Sequence, residues 1–432
     1  METIHLIALL PFIILLLLIA VMPLTISRLW ENNLHKFIVS VVLSIPVVIY
    51  LAAGGHGSVL ADHILFDYIP FIIMLGALFI ISGGIYISSS VSGRPGANLT
   101  FLAVGAILAS FMGTTGASML LIRPLLRAND KRKHKVHIVM FFLAIVANTG
   151  GLLTPLGDPA LFILYLRGVP FHWFAQLAPE WLFVNGLLLL MFYAIDKLYY
   201  HKQYPTAGSR CRYTGFPFKL RGTLNILWIT GVVLAVALIN EYHIPEIKNQ
   251  PYLAYFRELI ILMMAGLSLG FTSKRNLMRN AFSWGPIFEV AALFLGIFIT
   301  MTPALIYLEQ NVDLLRVTSP AEFYFATGFL SSILDNTPTA VAFHSMAGIV
   351  TAHAAATASS LVSGVSPNLL KAVSLGAVLF GSMTYIGNGP NFMVKSIAEN
   401  RGIKMPGFFG YIFRFSLLVL LPVFILVWLL FL

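Results

Sequence analysis

The chain has 432 residues, of which 58% are hydrophobic and only 10% are charged. Soluble domains carry about 25% charged residues, so this composition excludes an ordinary soluble protein and indicates a polytopic membrane protein. The net charge of +10 would suggest nucleic-acid binding in a soluble protein, but here the basic residues fall in short loops between apolar stretches. We therefore expect a lipid bilayer, and no nucleic acid, as a partner.

Apolar stretches of membrane-spanning length divide the chain into two similar units. In the first, residues 1–199, we predict spans near 5–27, 35–53 and 64–90, a hairpin at 98–127, a broken helix at 136–167 and a span at 180–199. A polar and basic stretch, 200–221, forms a predicted cytoplasmic linker. In the second unit, 222–432, we predict spans near 222–240, 256–272 and 286–308, a hairpin at 321–352, a broken helix at 369–399 and a span at 408–431.

The hairpins and broken helices are predicted from polar, glycine and proline residues that interrupt apolar stretches. The interruptions lie at 111–116, 148–159, 331–342 and 384–390. A charge at bilayer depth costs at least about 2.5–3.5 kcal/mol, so the aspartates in two of these segments need a protected place. Irregular backbone at that depth is tolerated where it lines a cavity or is buried in protein. We therefore expect re-entrant hairpins and broken helices that surround one site.

The two units carry matching motifs. Thr154-x-x-Gly157-Asp158 in the first unit corresponds to Thr384-x-x-Gly387-Asn388 in the second. Each unit has five predicted crossings plus a hairpin that returns to its own side, so the second unit is inverted relative to the first. Inverted repeats with broken helices at the bilayer midplane are the plan of many secondary transporters.

The distribution of basic residues tests this topology. With both termini outside, 22 of the 27 Lys and Arg residues fall on the predicted cytoplasmic side. This split follows the positive-inside rule. If both hairpins crossed the membrane instead, the basic run 131–135 would move outside.

Asp158 and Asp335 are the acidic residues at the interruptions, and both are candidates for ion and proton binding. Asp158 precedes Pro159, which is also the pattern of an N-cap followed by proline at the first helical position. Capping and ion binding are compatible, because a cap at the midplane lies beside the cavity. In the second hairpin we expect Asn336 or Thr337 to cap the new helix and Asp335 to remain free.

Hydroxyl and amide side chains complete the candidate site. Together with the two aspartates they form an oxygen-rich set: Thr114, Thr115, Asn148, Thr154, Asn336, Thr337, Thr384 and Asn388. Such oxygens can bind Na⁺, whereas the N-termini of half-helices favour an anion. Burial disfavours a charged carboxylate and a bound cation favours it, so we expect Na⁺ and H⁺ to compete for the aspartates.

Three motifs carry a family resemblance: the hairpin from Ser331 to Thr339, Ala147-Asn148-Thr149-Gly150-Gly151, and Thr154-Pro155-Leu156-Gly157-Asp158. They resemble NhaD-type sodium/proton antiporters and the citrate-transport branch of the same ion transporter superfamily, which includes arsenite and dicarboxylate carriers. The resemblance implies a homodimer, a scaffold domain, and a transport domain that carries the hairpins and broken helices in an elevator-like movement. A Ser-Asn-Thr triplet, typical of the dicarboxylate branch, is missing from both hairpin tips.

On this resemblance we interpret the chain as a Na⁺/H⁺ antiporter of a bacterial inner membrane. The alternative is an anion transporter for citrate, dicarboxylates or arsenite on the same fold. No resident cofactor is expected, since Na⁺ and H⁺ would be the cargo. An enzyme is not expected: the Gly-x-Gly-Asp signature of intramembrane aspartyl proteases fails at Pro155, and the chain contains no His-Glu-x-x-His motif.

Overall fold

The fold is known from a computed structural model, which describes residues 4–26, 32–89, 93–204, 218–280, 282–310, 317–353 and 361–432. Helices dominate these residues, and the single sheet among them has two short strands. Eight helical stretches in the described residues are long and apolar enough to cross a bilayer. The expected all-α polytopic membrane fold is therefore confirmed.

The long helices follow the predicted order, and two short strands that were not predicted are added to them. The first unit contains α1 (Leu10–Thr25), α2 (Asn33–Ala53), α3 (Gly57–Asp62), α4 (Ile69–Gly83), β1 (Tyr86–Ser89), α5 (Pro95–Met112), α6 (Thr114–Ala128), α7 (Val136–Ile145), α8 (Pro159–Leu166) and α9 (Ala178–Gln203). A π-helical turn, His63–Tyr68, joins α3 to α4.

The end of the predicted linker forms β2 (Phe218–Arg221). The second unit contains α10 (Leu224–Leu238), α11 (Glu246–Asn249), α12 (Tyr255–Phe271), α13 (Lys274–Arg279), α14 (Gly285–Gln310), α15 (Pro320–Ile333), α16 (Asn336–His353), α17 (Pro367–Phe380), α18 (Gly389–Glu399), α19 (Phe408–Tyr411) and α20 (Leu421–Phe431). A π-helical segment, Ile412–Leu420, joins α19 to α20.

Two pairs of helices form tight hairpins where the sequence predicts them. Hairpin 1 consists of α5 and α6, which pack against each other and are joined at Gly113. The φ of Gly113 is 79°, a conformation that L side chains rarely adopt. Hairpin 2 consists of α15 and α16, with Pro338 in the first turn of α16, where its missing N–H costs nothing. The observed ends, 95–128 and 320–353, lie within three residues of the predicted ones.

The predicted span 64–90 and the predicted linker 200–221 are both corrected at their ends. The helix of that span stops at Gly83, and β1 follows it. Helix α9 continues into the predicted linker as far as Gln203, residues 205–217 lie outside the described part, and 218–221 form β2. The two strands pair antiparallel, with Tyr86 opposite Arg221. Gly222 has a φ of 75°, and a Cβ there would lie 2.2 Å from the carbonyl oxygen of Gly84, so the chain turns away from the sheet on a glycine.

A buried ionic cluster holds the base of hairpin 1 to α7 and α9. The Asp196 carboxylate accepts hydrogen bonds from Arg132 Nη1 at 2.6 Å and from His137 Nε2 at 2.8 Å. Its other oxygen accepts from Asn98 Nδ2 at 3.0 Å, and Asn98 is also bonded to Asn129. Burying a charge is tolerated when it is paired and hydrogen-bonded, as here. The cluster fixes the end of hairpin 1 that lies far from its tip.

The helices pack in two groups. In one, α2 lies against α14, and α4 lies against α12, which also contacts α10. In the other, hairpin 1 packs on α9 and on residues 149–153, while hairpin 2 packs on α17 and α16 also packs on α8. Helices α4 and α14 also contact hairpin 1 and hairpin 2, respectively. The two groups therefore meet along hairpin 1 and hairpin 2.

Candidate functional site

Four interruptions of helical structure meet at the centre of the fold. They are the tip of hairpin 1 at Gly113, the break between α7 and α8, the tip of hairpin 2 at 334–335, and the break between α17 and α18. The backbone N–H of Thr114 donates to the carbonyl of Gly157 at 2.9 Å, so the tip of hairpin 1 is bound to the first break. The hydroxyl of Thr384 donates to the carbonyl of Ser332 at 2.6 Å, so hairpin 2 is bound to the second break.

Thr154 and Thr384 perform the same task in the two units. The hydroxyl of Thr154 donates to the carbonyl of Ser110 and accepts the N–H of Leu156. The hydroxyl of Thr384, which donates to Ser332, likewise accepts the N–H of Ile386 at 3.1 Å. Each hydroxyl thus donates a hydrogen bond to a carbonyl of a hairpin and accepts one from the backbone N–H two residues later. In this arrangement both side chains position the loops of the breaks.

A close contact between two glycines shapes the first break. A Cβ on Gly157 would lie 2.0 Å from the carbonyl oxygen of Gly151. Gly387 and Gly381 approach each other in the same way in the second break, where a Cβ on Gly387 would lie 2.7 Å from the carbonyl oxygen of Gly381. These contacts require glycine because any side chain would push the two strands of each loop apart.

Asp158 connects the two units. Its side chain is fully buried and caps α8, with Oδ1 accepting the N–H of Ala160 at 2.9 Å. The same oxygen accepts from Asn336 Nδ2 at 2.7 Å, and Oδ2 accepts from Asn388 Nδ2 at 3.2 Å. The predicted cap is therefore present, and the carboxylate also receives one amide from hairpin 2 and one from the second break.

A chain of buried amides continues from Asp158. Asn388 Nδ2 also lies 3.2 Å from Asn148 Oδ1, and Asn148 Nδ2 donates to Asn391 Oδ1 at 2.7 Å. Asn391 Nδ2 in turn donates to the carbonyl of Thr384 at 2.9 Å. Asn391 was not predicted from the sequence, although it lies three residues after Asn388, in the first turn of α18. The structure thus brings Asn148, Asp158, Asn336 and Asn388 into one hydrogen-bonded network.

Asp335 differs from the prediction. The sequence suggested that Asn336 or Thr337 would cap α16, but the helix begins at Asn336, and the Asp335 carboxylate accepts the N–H of Thr337 at 3.1 Å. Asp335 is only half-buried and lines the central cavity, whereas Asp158 lies behind it. Aspartate is a better N-cap residue than threonine. An N-cap residue has backbone φ and ψ in the β region, which aspartate readily adopts. Asp335 therefore caps the helix and still faces the cavity.

Several buried oxygen atoms near the tips lack a hydrogen-bond partner within the described part of the chain. They are Asn336 Oδ1, Thr337 Oγ1 and Thr114 Oγ1. Leaving a buried polar atom unsatisfied costs about 1–3 kcal/mol, so such atoms call for an explanation. Two of the three follow Asp335 directly in the chain, and all three are oxygens that could act as ligands.

A cavity of about 580 Å³ lies between the tips and the other group of helices. One wall is formed by both hairpin tips and the second break, including Thr114, Thr115, Asp335 and Asn388. The opposite wall is formed by α4 and α14 and is mostly aliphatic and aromatic. From the tips the cavity extends to Lys36, Arg123 and Lys395, which the charge count assigns to the cytoplasmic side.

The far side of the tips is closed by packed helices and an ion pair. There α8 packs on α16, and α14 packs on α16 as well. Arg167, at the end of α8, contacts Asp67 Oδ2 at 3.0 Å and Ser345 Oγ at 3.1 Å. The charge count assigns Arg167 to the outside. Asp67 was not predicted as a site residue, since it lies within an apolar predicted span.

Comparison with known proteins gives one family. The profile of a family described as "Putative citrate transport" matches residues 1–432. No curated protein matches the chain.

Proposed function

Since the chain belongs to the "Putative citrate transport" family, we propose that it is a secondary active transporter that moves an organic anion such as citrate together with Na⁺ or H⁺. The family and the membrane-spanning helices indicate a transporter rather than an enzyme. The observation that carries the proposal is the position of Asp335, a carboxylate that lines the cavity beside unpartnered oxygens.

The cation is proposed to bind at the tip of hairpin 2. Asp335 supplies a negative charge there, and Asn336 Oδ1 and Thr337 Oγ1 supply neutral oxygens that have no hydrogen-bond partner in the described part of the chain. Asp158, bonded to Asn336, adds a second carboxylate behind them. Na⁺ is a hard cation that takes oxygen ligands, and a proton could take its place on the carboxylate.

The anion is proposed to bind nearer the tip of hairpin 1. Helix α6 begins there at Thr114 without a capping side chain, and Thr114, Thr115 and Gly116 line the cavity. A helix N-terminus carries partial positive charge, which favours an anion. The cavity of about 580 Å³ is also far larger than a bare Na⁺ needs.

Na⁺/H⁺ antiport, the interpretation that the sequence favours, remains the second candidate. It is supported by the pair of aspartates linked through Asn336, since two neighbouring carboxylates can exchange a sodium ion for protons. Arsenite transport would use the same fold and is a variant of the first candidate, anion transport.

Reconstitution into proteoliposomes separates these candidates. We expect citrate uptake that requires an inward Na⁺ or H⁺ gradient, and none in liposomes without protein. Dissipation of a pH gradient by Na⁺ or Li⁺ without any citrate or arsenite uptake would instead support the antiporter. A protein that moves none of these species would contradict both candidates.

The movement is proposed to be elevator-like, with the hairpins and broken helices carrying the site past the scaffold. The inverted repeat of residues 1–199 and 222–432 is part of this proposal and is supported by the matched hydrogen bonds of Thr154 and Thr384. A homodimer in a bacterial inner membrane is also proposed, on the family resemblance alone.

The proposed topology predicts opposite labelling of two engineered cysteines. In a background in which the single native cysteine, Cys211, is replaced by serine, Lys133→Cys should react only from the cytoplasmic side. Thr318→Cys, at the exposed start of hairpin 2, should react only from outside. A membrane-impermeant maleimide applied to right-side-out and inside-out vesicles measures this. Labelling of both residues from one side would refute the inverted repeat.

A further inference from the structure

Arg123 is a cation in the cavity wall that the proposed ion site does not use. It lies on α6, and Thr115, Met119 and Arg123, each one turn apart, all line the cavity. Eight residues of helix separate it from Thr115, a distance of about 12 Å. Its Nη1 donates to the carbonyl of Asn280 at 2.8 Å, which leaves other N–H groups of the guanidinium for a further partner.

Two further cations among the described residues line the cavity, and both are neutralised. Lys36 lies 2.7 Å from Glu289 Oε1, and Lys395 lies 2.9 Å from Glu399 Oε1. For Arg123, no carboxylate of the described ranges comes within 4.0 Å. The positive charges of Arg401 and Arg127 lie near it.

A partly buried guanidinium without a counter-charge attracts anions strongly. Its planar fork matches a carboxylate, which it can bind through two parallel hydrogen bonds. The low-dielectric walls of a cavity strengthen this attraction and raise the local concentration of an oppositely charged ligand. Asp335, the uncompensated carboxylate of the same cavity, lies at the tips, so the two uncompensated charges occupy different parts of it.

We propose that Arg123 is the capture site for the organic anion: it binds one carboxylate of the substrate at the cavity mouth, before the anion moves to the hairpin tips. The proposal rests on the proposed function, because it needs an anionic cargo. About 12 Å of helix rise separates the backbone of Arg123 from that of Thr115, and we therefore place capture and transport at separate positions in the cavity. Arg123 therefore sets the affinity for substrate from this side and selects for negative charge.

The test measures citrate transport from the cavity side in proteoliposomes. Arg123→Gln keeps a donor for the Asn280 carbonyl but removes the charge, and we expect the KM for citrate to rise about tenfold or more because a charge-assisted hydrogen bond is lost. The maximal rate and the Na⁺ dependence should stay unchanged. Arg123→Lys, which keeps the charge without the fork, should have an intermediate KM.

Arg127→Gln is the matched control, since Arg127 lies one turn later on the same helix but does not line the cavity. Its KM should equal that of the wild type. Ionic strength provides a second readout: salt should raise the KM of the wild type and have little effect on Arg123→Gln, because salt screens the attraction. This dependence can be measured on the wild type and on Arg123→Lys even if the glutamine variant does not fold.

The outcomes separate this inference from the proposed function. If the wild type transports citrate and Arg123→Gln has the same KM and the same salt dependence, the capture site is refuted while the transport function stands. A lower maximal rate with an unchanged KM would also refute it, because it would assign Arg123 to holding α6 against Asn280. If the wild type carries no organic anion at all, the proposed function fails first and the capture site falls with it.

Discussion

Replacing Asp335 with asparagine is expected to abolish coupled transport and to leave the fold intact. Asparagine and aspartate are equally good N-caps, so the N–H of Thr337 keeps its acceptor and α16 keeps its start. Only the negative charge at the cavity is lost. Without this charge a bound cation loses its strongest ligand, and the site no longer has a carboxylate that a proton could occupy instead of the cation. We expect Na⁺- or H⁺-driven uptake in proteoliposomes to fall to the background of empty liposomes.

Two variants control for this substitution. Asp130→Asn removes an exposed carboxylate far from the tips and should transport as the wild type does. Thr115→Ala removes one hydroxyl from the cavity wall and should weaken binding only severalfold, since a neutral hydrogen bond contributes about 1 kcal/mol. Thermal unfolding in detergent checks that each variant is folded. If Asp335→Asn still carries out coupled transport at the wild-type rate, Asp335 serves only to cap α16.

Asp158 is a less suitable target for the same experiment. Its two oxygens accept from Ala160, Asn336 and Asn388, so both atoms are needed as acceptors. An asparagine there would point an NH₂ group at one of these donors and would break the network that joins the two units. Loss of activity in Asp158→Asn would therefore mix an electrostatic effect with a structural one.

The interruptions of the helices could be predicted because glycine, proline and aspartate stand out in apolar stretches. Gly113 and Pro338 mark the hairpin tips to within a few residues, and Asp158 before Pro159 gives the cap of α8. These signals are local: they depend on the φ of a glycine, the missing N–H of a proline and the acceptor of a short side chain. The N-cap of α16 was mispredicted. Asp335, Asn336 and Thr337 are all residue types that cap helices, and the residue at which the helix begins decides which of them is the cap.

Interactions between distant segments could not be predicted. The pairing of β1 with β2 joins residues more than a hundred positions apart. Each strand has only four residues, which is too short to show the alternation of apolar and polar side chains that identifies a strand. Asp196 and Asp67 look like charges inside spans until their partners, Arg132 and Arg167, are brought to them by packing. That Arg123 bonds a backbone carbonyl and has no carboxylate partner among the described residues likewise becomes visible only when the neighbouring carboxylates have positions.

The second large effect concerns pH: the apparent affinity for Na⁺ should fall as the pH is lowered. Burial disfavours a charged carboxylate, and a bound cation or proton relieves that cost, so the two compete for the same oxygens of Asp335. If one proton competes with one sodium ion, the affinity falls about tenfold per pH unit over the range in which the site is mostly protonated. With Asp158 bonded to the neighbouring Asn336, the two acids would titrate as a pair, and the fall would extend over a wider range.

Calorimetric titration of the purified protein with Na⁺ at several pH values between about 5 and 9 measures this competition. The heat of binding should also change with the ionisation enthalpy of the buffer at low pH, since each sodium ion that binds there releases a proton. Asp335→Asn is the matched control and should show neither sodium binding at the tips nor proton release. A sodium affinity that stays constant over the whole range would exclude a shared site. Citrate uptake would then have to be driven by a proton or sodium ion bound away from Asp335.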